Sequence, residues 1–150
     1  MRDLFTFAAA QDLTGVDSTG VVSDNIWDLE ADDAGNATET DSQVVGWLNV
    51  LFRASNAGAT EGLWVELRTS DNTDIDTTHE KLGALFLTDA QLTAAAGKTF
   101  SIGVSVAGLK KYVGVWFRAD TTSLAATATP VDAWLSIAPE GLSVTQKQPS

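Results

Sequence analysis

Cysteine is missing from the 150 residues, and histidine occurs once, at position 79. Without cysteine the chain can form no disulfide, thiolate metal site or thiol nucleophile. With a single histidine and no Gly-x-Ser-x-Gly turn, a hydrolase triad has no support. A lone histidine in a polar stretch, as His79 is, is ordinarily solvated. No glycine-rich phosphate loop is present. Basic residues are scarce, 9 against 20 acidic ones, for a net charge of −11. That balance argues against general nucleic-acid binding, which depends on Lys and Arg neutralising phosphates. It also disfavours anionic membrane surfaces. The excess of acid reads most simply as a solubility device. Long hydrophobic runs are missing too. None approaches the roughly 20 residues a membrane helix needs. The opening Met1-Arg2-Asp3-Leu4-Phe5 has one basic residue and no apolar core, which is not the pattern of a secretory signal.

What is present is a 44% hydrophobic composition of ordinary globular kind, in a chain the size of one domain. The clearest element is Leu63-Trp64-Val65-Glu66-Leu67-Arg68-Thr69-Ser70-Asp71-Asn72. Leu63, Val65 and Leu67 point one way and Trp64, Glu66 and Arg68 the other, as successive strand side chains do. Ser70-Asp71-Asn72 then supplies side chains that bond their own backbone and end the strand. The same alternation recurs with Leu48, Val50 and Phe52 against Trp47, Asn49, Leu51 and Arg53. It returns in Phe100, Ile102, Val104 and Val106, in Val113, Val115 and Phe117, and in Val131, Ala133, Leu135 and Ile137. Residues 80–87 give a strand of mixed pattern. Val21-Val22-Ser23 and Ile26-Trp27-Asp28-Leu29 are short pieces split by Asp24-Asn25, a bend or bulge.

Residues 54–59 are a small-residue turn, and the spacing makes the strands on either side a candidate antiparallel hairpin. Gly108 lies in the turn between two later strands. Residues 88–96 read as a short helical turn, with Thr88 as N-cap and Gly97 as stop. The start of the chain, residues 1–13, reads as a short strand or an extended arm. Residues 139–150 read as a flexible tail. Seven or eight short strands with turn signals and no long amphipathic helix predict a single all-β domain over residues 1–150. The expected architecture is an antiparallel β-sandwich of jelly-roll kind.

The acidic residues are the candidate metal ligands. Asp28, Glu30, Asp32 and Glu39 fall at the spacing of an EF-hand calcium loop, but Asp33 stands where that loop needs Gly and no helices flank it. Residues 30–42 therefore read as a long exposed acidic loop. Asp71, Asp74 and Asp76 form a second acidic group. Nothing selects one catalytic pair among the 20 acids. No metal or other cofactor is expected, and no enzymatic activity. The tryptophans carry more information. Trp47, Trp64, Trp116 and Trp134 all fall on the strand face opposite the aliphatic set. They either fill a covered outer face or form an aromatic surface for a sugar or another protein chain, since Trp is enriched at interface hot spots.

With its strands placed, the chain resembles the small jelly-roll capsid cement (decoration) proteins of tailed bacteriophages. Leu4-Phe5 with Ala10-Gln11-Asp12-Leu13-Thr14 resembles that family's opening segment, and Ile26-Trp27-Asp28-Leu29 its next short strand. Leu63 to Asn72 is the nearest likeness, and Lys111-Tyr112-Val113-Gly114-Val115-Trp116-Phe117 resembles its late strand. Two departures stand out. Glu30 follows Asp28-Leu29 where the family often has Gly, and Val113-Gly114 replaces the second half of an Arg-Tyr-Leu-Arg type pattern. The resemblance implies a non-enzymatic virion protein, made in the host cytoplasm, that sits as a homotrimer on the outside of the expanded head. There it would clamp neighbouring major capsid subunits, with no nucleic-acid or membrane partner. The expected contact residues are Phe5, Trp47, Trp64, Trp116 and Trp134, with the N-terminal arm. The alternatives are a carbohydrate-binding β-sandwich module and a structural domain of a tail or fibre.

Overall fold

The computed structural model describes residues 5–29, 45–105, 109–136 and 138–143. Strand β5 (Leu63–Ser70) is its most buried element, covered at every position. Its inward residues Leu63, Val65 and Leu67 lie in the core, and Trp64, Glu66 and Arg68 lie on the far side under other parts of the chain. The other strands are β1 (Phe5–Asp12), β2 (Val21–Val22), β3 (Trp27–Asp28), β4 (Val45–Phe52), β6 (Glu80–Leu87), β7 (Thr99–Ser105), β8 (Tyr112–Ala119), β9 (Pro130–Ser136) and β10 (Leu142–Ser143).

They form two sheets, one in the order β1-β9-β4-β7-β10 and one in the order β2-β8-β5-β6, with β3 also on β8. The antiparallel pairs are nested: β1 with β9, β2 and β3 with β8, β4 with β7, and β5 with β6. Within each sheet a lateral pair then joins the nested pairs, β4–β9 in the first and β5–β8 in the second. This is a long hairpin, closed at residues 71–79, that is rolled into a sandwich. With β2 and β3 counted as halves of one strand, and the two-residue β10 set aside as an added edge strand, eight strands remain in the jelly-roll arrangement that the strand pattern predicts. Phe7, Phe52, Phe117, Leu48 and Leu85, all fully buried, fill the space between the sheets. The edge of Phe52 meets Phe100 at a centroid distance of 5.9 Å.

Several local expectations hold in detail. Residues 23–26 break one strand into β2 and β3, and the Ser23 hydroxyl accepts from the Val115 N–H at 3.1 Å across the gap. The Asn72 N–H donates to the Ser70 hydroxyl at 3.0 Å, closing the turn after β5. Helix α1 (Asp89–Thr93) starts at Thr88, whose hydroxyl accepts from the Gln91 N–H while the Gln91 side chain returns to the Thr88 N–H. The helix stops one turn before Gly97, which turns the chain at φ +75°.

Two expectations change, and an open one is settled. β4 and β5 are not a hairpin: β4 pairs with β7 and β9 in one sheet, β5 with β6 and β8 in the other. Residues 53–62 cross between the sheets, because alternation fixes which side of a strand faces inward but not which strand lies beside it. β7 and β8 likewise lie in opposite sheets. At the start of the chain, residues 5–12 are an edge strand on β9, so of the two readings, a short strand or an extended arm, the strand holds over these residues. The strand bulges between Ala8 and Gln11, where Ala10 takes φ +57° and its N–H donates to Asp132 Oδ1 at 2.7 Å. A bulge of this kind blunts an exposed edge. At the other end, residues 138–143 cross the first sheet, and Leu142–Ser143 pair in parallel with Phe100 and Ser101 of β7. The polar ends of Asn49 and Trp134 hold that crossing, so the first residues of the expected tail are fixed, and residues 144–150 lie outside the described residues.

Candidate functional site

The four strand tryptophans lie on the outer faces, as alternation predicts, but on opposite sides of the molecule. Trp64 on β5 and Trp116 on β8 share the second sheet, and Trp47 on β4 and Trp134 on β9 share the first. They do not form one surface. Phe5 pairs through its backbone with Leu135 at the edge of the first sheet. Trp27 is half-buried beside the core and its indole N–H donates to the Thr6 carbonyl at 3.0 Å.

On the second sheet the aromatics interleave with charges. The Glu66 carboxylate is 1% exposed, and its Oε1 accepts from Arg68 Nε at 2.9 Å and Arg68 Nη2 at 2.7 Å. Its other oxygen lies 3.4 Å from Arg118 Nε. The Arg68 guanidinium stacks over Trp116, and that of Arg118 lies 5.5 Å from the centre of Trp64. The Trp64 indole N–H donates to Asp120 at 2.9 Å, and its ring packs on Phe86 at 4.7 Å. One buried anion therefore neutralises two cations, and each cation lies over an indole. Burial pulls Arg68 below its ordinary value while the bond to Glu66 opposes this, and the guanidinium stays charged.

This face is roofed by the chain itself. Residues 71–79 fold back over it, and fully buried Ile75 presses on β8 at Gly114, where an added Cβ would fall 2.4 Å from Ile75 Cδ1. The Ile75 and Asp76 carbonyls each accept from Arg68 Nη1 at 3.3 Å. Gly20, at φ +84°, lies flat on the Trp116 indole, and a Cβ there would be 2.3 Å from Nε1. Trp116 is 8% exposed as a result, and Trp64, packed on Phe86 and beside Arg118, is 8% exposed as well.

On the first sheet a neutral network does the same. Asn49 donates to the Ser136 hydroxyl at 2.8 Å and accepts from the Ser101 hydroxyl at 2.6 Å and from the Glu140 N–H at 3.2 Å. The Trp134 indole N–H donates to Glu140, also at 3.2 Å, which leaves Trp134 2% exposed. Trp47 differs. It is half-buried, with its ring laid 3.7–3.9 Å from where a Cβ would stand on Gly103 of the neighbouring strand.

Sequence reasoning missed Arg118, Ile75 and the Asn49–Ser101–Ser136 network. The alternation that puts Glu66 and Arg68 on one face was a visible signal for half of the ionic ladder. A single Ile within six polar residues was a weaker signal for the roof. Among the described residues no group of three or more His, Asp or Glu side chains is placed to hold a metal ion. The acidic stretch at residues 30–42 lies outside the described residues. In the second acidic stretch Asp74 accepts from the Thr77 hydroxyl at 2.6 Å, and Asp71 pairs with Lys110 at 3.7 Å. No family model matches the chain, and no curated protein matches it.

Proposed function

We propose that this protein is a capsid cement (decoration) protein of a tailed bacteriophage, which binds as a homotrimer to the outside of the expanded head and clamps neighbouring major capsid subunits. One observation carries the reading. Leu63 to Ser70, the body of the Leu63 to Asn72 segment that is the nearest likeness to that family, build a fully buried strand inside a jelly roll, the fold the resemblance implies. The physics is compatible. A trimer presents three copies of one patch, so avidity turns weak contacts into lasting ones. A chain of net charge −11 stays off DNA and complements basic patches on a shell.

The proposed contact surface centres on Trp47 of β4 and takes in the β1 edge on the far side of β9, since Trp64, Trp116 and Trp134 are occupied within the chain. The same burial weakens the carbohydrate-module reading, which draws on several open aromatic rings. Purified protein is to be mixed with expanded heads that lack it and then sedimented. Saturable co-sedimentation at a fixed ratio to the major capsid protein supports the proposal. A failure to bind matching heads overturns it.

A further inference from the structure

Residues 71–79 are held on the second sheet by two fastenings, buried Ile75 against Gly114 and the Arg68 guanidinium bonded to the Ile75 and Asp76 carbonyls. His79 closes the segment where it enters β6. Its Nδ1 is buried and has no hydrogen-bond partner among the described residues. A buried donor or acceptor left unmade is costly, and a charge there is costlier.

The charges around His79 are mixed. Arg68 on β5 and Lys81 on β6 oppose a further positive charge, and Glu66 on β5 favours one. Glu66 is already committed to Arg68 and, across the sheet, to Arg118. Asp71 on the segment and Glu80 at the start of β6 bind Lys110, at 3.7 and 3.0 Å, and Asp74 bonds Thr77 within the segment. Asp76 is exposed and contributes its carbonyl to Arg68.

We propose that residues 71–79 form an acid-released strap. Charging His79 beside Arg68 frees the strap from the second sheet, uncovering Gly114 and releasing Arg68 from its place over Trp116. The driving force is differential protonation. The closed strap disfavours the imidazolium, through burial first and Arg68 second, and the open strap leaves His79 at its ordinary value. Opening then grows by up to about tenfold for each pKa unit that separates the two states.

The test is amide hydrogen exchange on the full chain at about pH 7.5 and about pH 5, corrected for intrinsic rates, with tryptophan emission and the imidazole NMR signals recorded in parallel. Most carboxylates stay ionised across that window. The expected result is faster exchange at the Thr78 N–H, which bonds the Asp74 carbonyl at 3.2 Å, with a midpoint matching the His79 titration. His79→Gln should lose the response. A flat wild-type profile overturns the proposal, as does a midpoint distinct from that of His79. An unchanged response in His79→Gln does so too. The wild-type profiles decide the matter if the variant does not fold.

Discussion

Arg68 stands over the ring of Trp116 on the neighbouring strand, its guanidinium carbon 4.3 Å from the ring centroid. It does so while bonding Glu66 on its own strand and two carbonyls of the strap. One side chain thus fastens three chain segments. Removing it leaves the Glu66 carboxylate, which is 1% exposed, with only the longer contact to Arg118 at 3.4 Å. Arg68→Met is expected to cost about 3–5 kcal/mol in urea unfolding, as for other broken buried pairs. The double variant Glu66→Gln with Arg68→Met should recover part of that loss. A double variant no better than Arg68→Met alone would show that the arginine acts by packing and not by charge.

Gly20 and Gly97 separate backbone strain from crowding. Both take positive φ, +84° and +75°, but only Gly20 has a neighbour in the way of a Cβ, the Trp116 indole. Gly97→Ala is expected to cost about 1–2 kcal/mol, the left-handed penalty alone. Gly20→Ala should cost about 1–3 kcal/mol more, as overpacking does, and should shift tryptophan emission. Thermal unfolding of the two variants side by side checks the difference.

Asn49 links three strands and the C-terminal crossing. Asn49→Leu leaves the buried Ser101 and Ser136 hydroxyls short of a partner, at about 1–3 kcal/mol for each group left unsatisfied. The Glu140 N–H also loses its acceptor. Hydrogen exchange should speed up at Glu140 before it does in β4.

Asp12 accepts from the Thr14 hydroxyl at 2.6 Å and from the Thr129 N–H at 2.9 Å. These bonds, Thr14 foremost, hold its carboxyl below the ordinary value. A carboxylate lowered in the folded state lends stability above its unfolded pKa, about 3.9, and loses it as pH falls through the folded value. The melting temperature should therefore drop as pH falls below about 4, and Asp12→Asn should flatten that drop. An equal drop in the variant would assign the acid sensitivity to other groups.

Trp47 and Trp134 lie on the same sheet face but should behave differently. Trp134, 2% exposed, is structural, and Trp134→Ala is expected to cost about 3–5 kcal/mol. Trp47→Ser should leave the fold intact and weaken binding to expanded heads by about tenfold or more, as the loss of an interface hot spot does. Unfolding curves and head co-sedimentation, run on both variants, separate the two roles.

Much of the site was visible in part. The face of each tryptophan followed from period-2 alternation, and Glu66 beside Arg68 followed from the same rule. The partners could not be read off. Arg118 lies 52 residues from Glu66, and the Ser136 hydroxyl lies 87 residues from Asn49. Contacts at such separation depend on which strands become neighbours.

The sequence by itself determined the all-β class, the inward set of Leu, Val, Ile and Phe, the break between Val22 and Trp27, and the cap at Thr88. Each follows from interactions within a few residues: steric alternation, turn chemistry or a capping bond. Tertiary structure alone decided that β4 and β5 part company into opposite sheets, that the ends of the described chain dock on the first sheet, and that Ile75 roofs the second. Those outcomes turn on which apolar and polar surfaces cover one another once the hairpin has rolled up. Local alternation is the same for every such pairing, so it cannot distinguish among them.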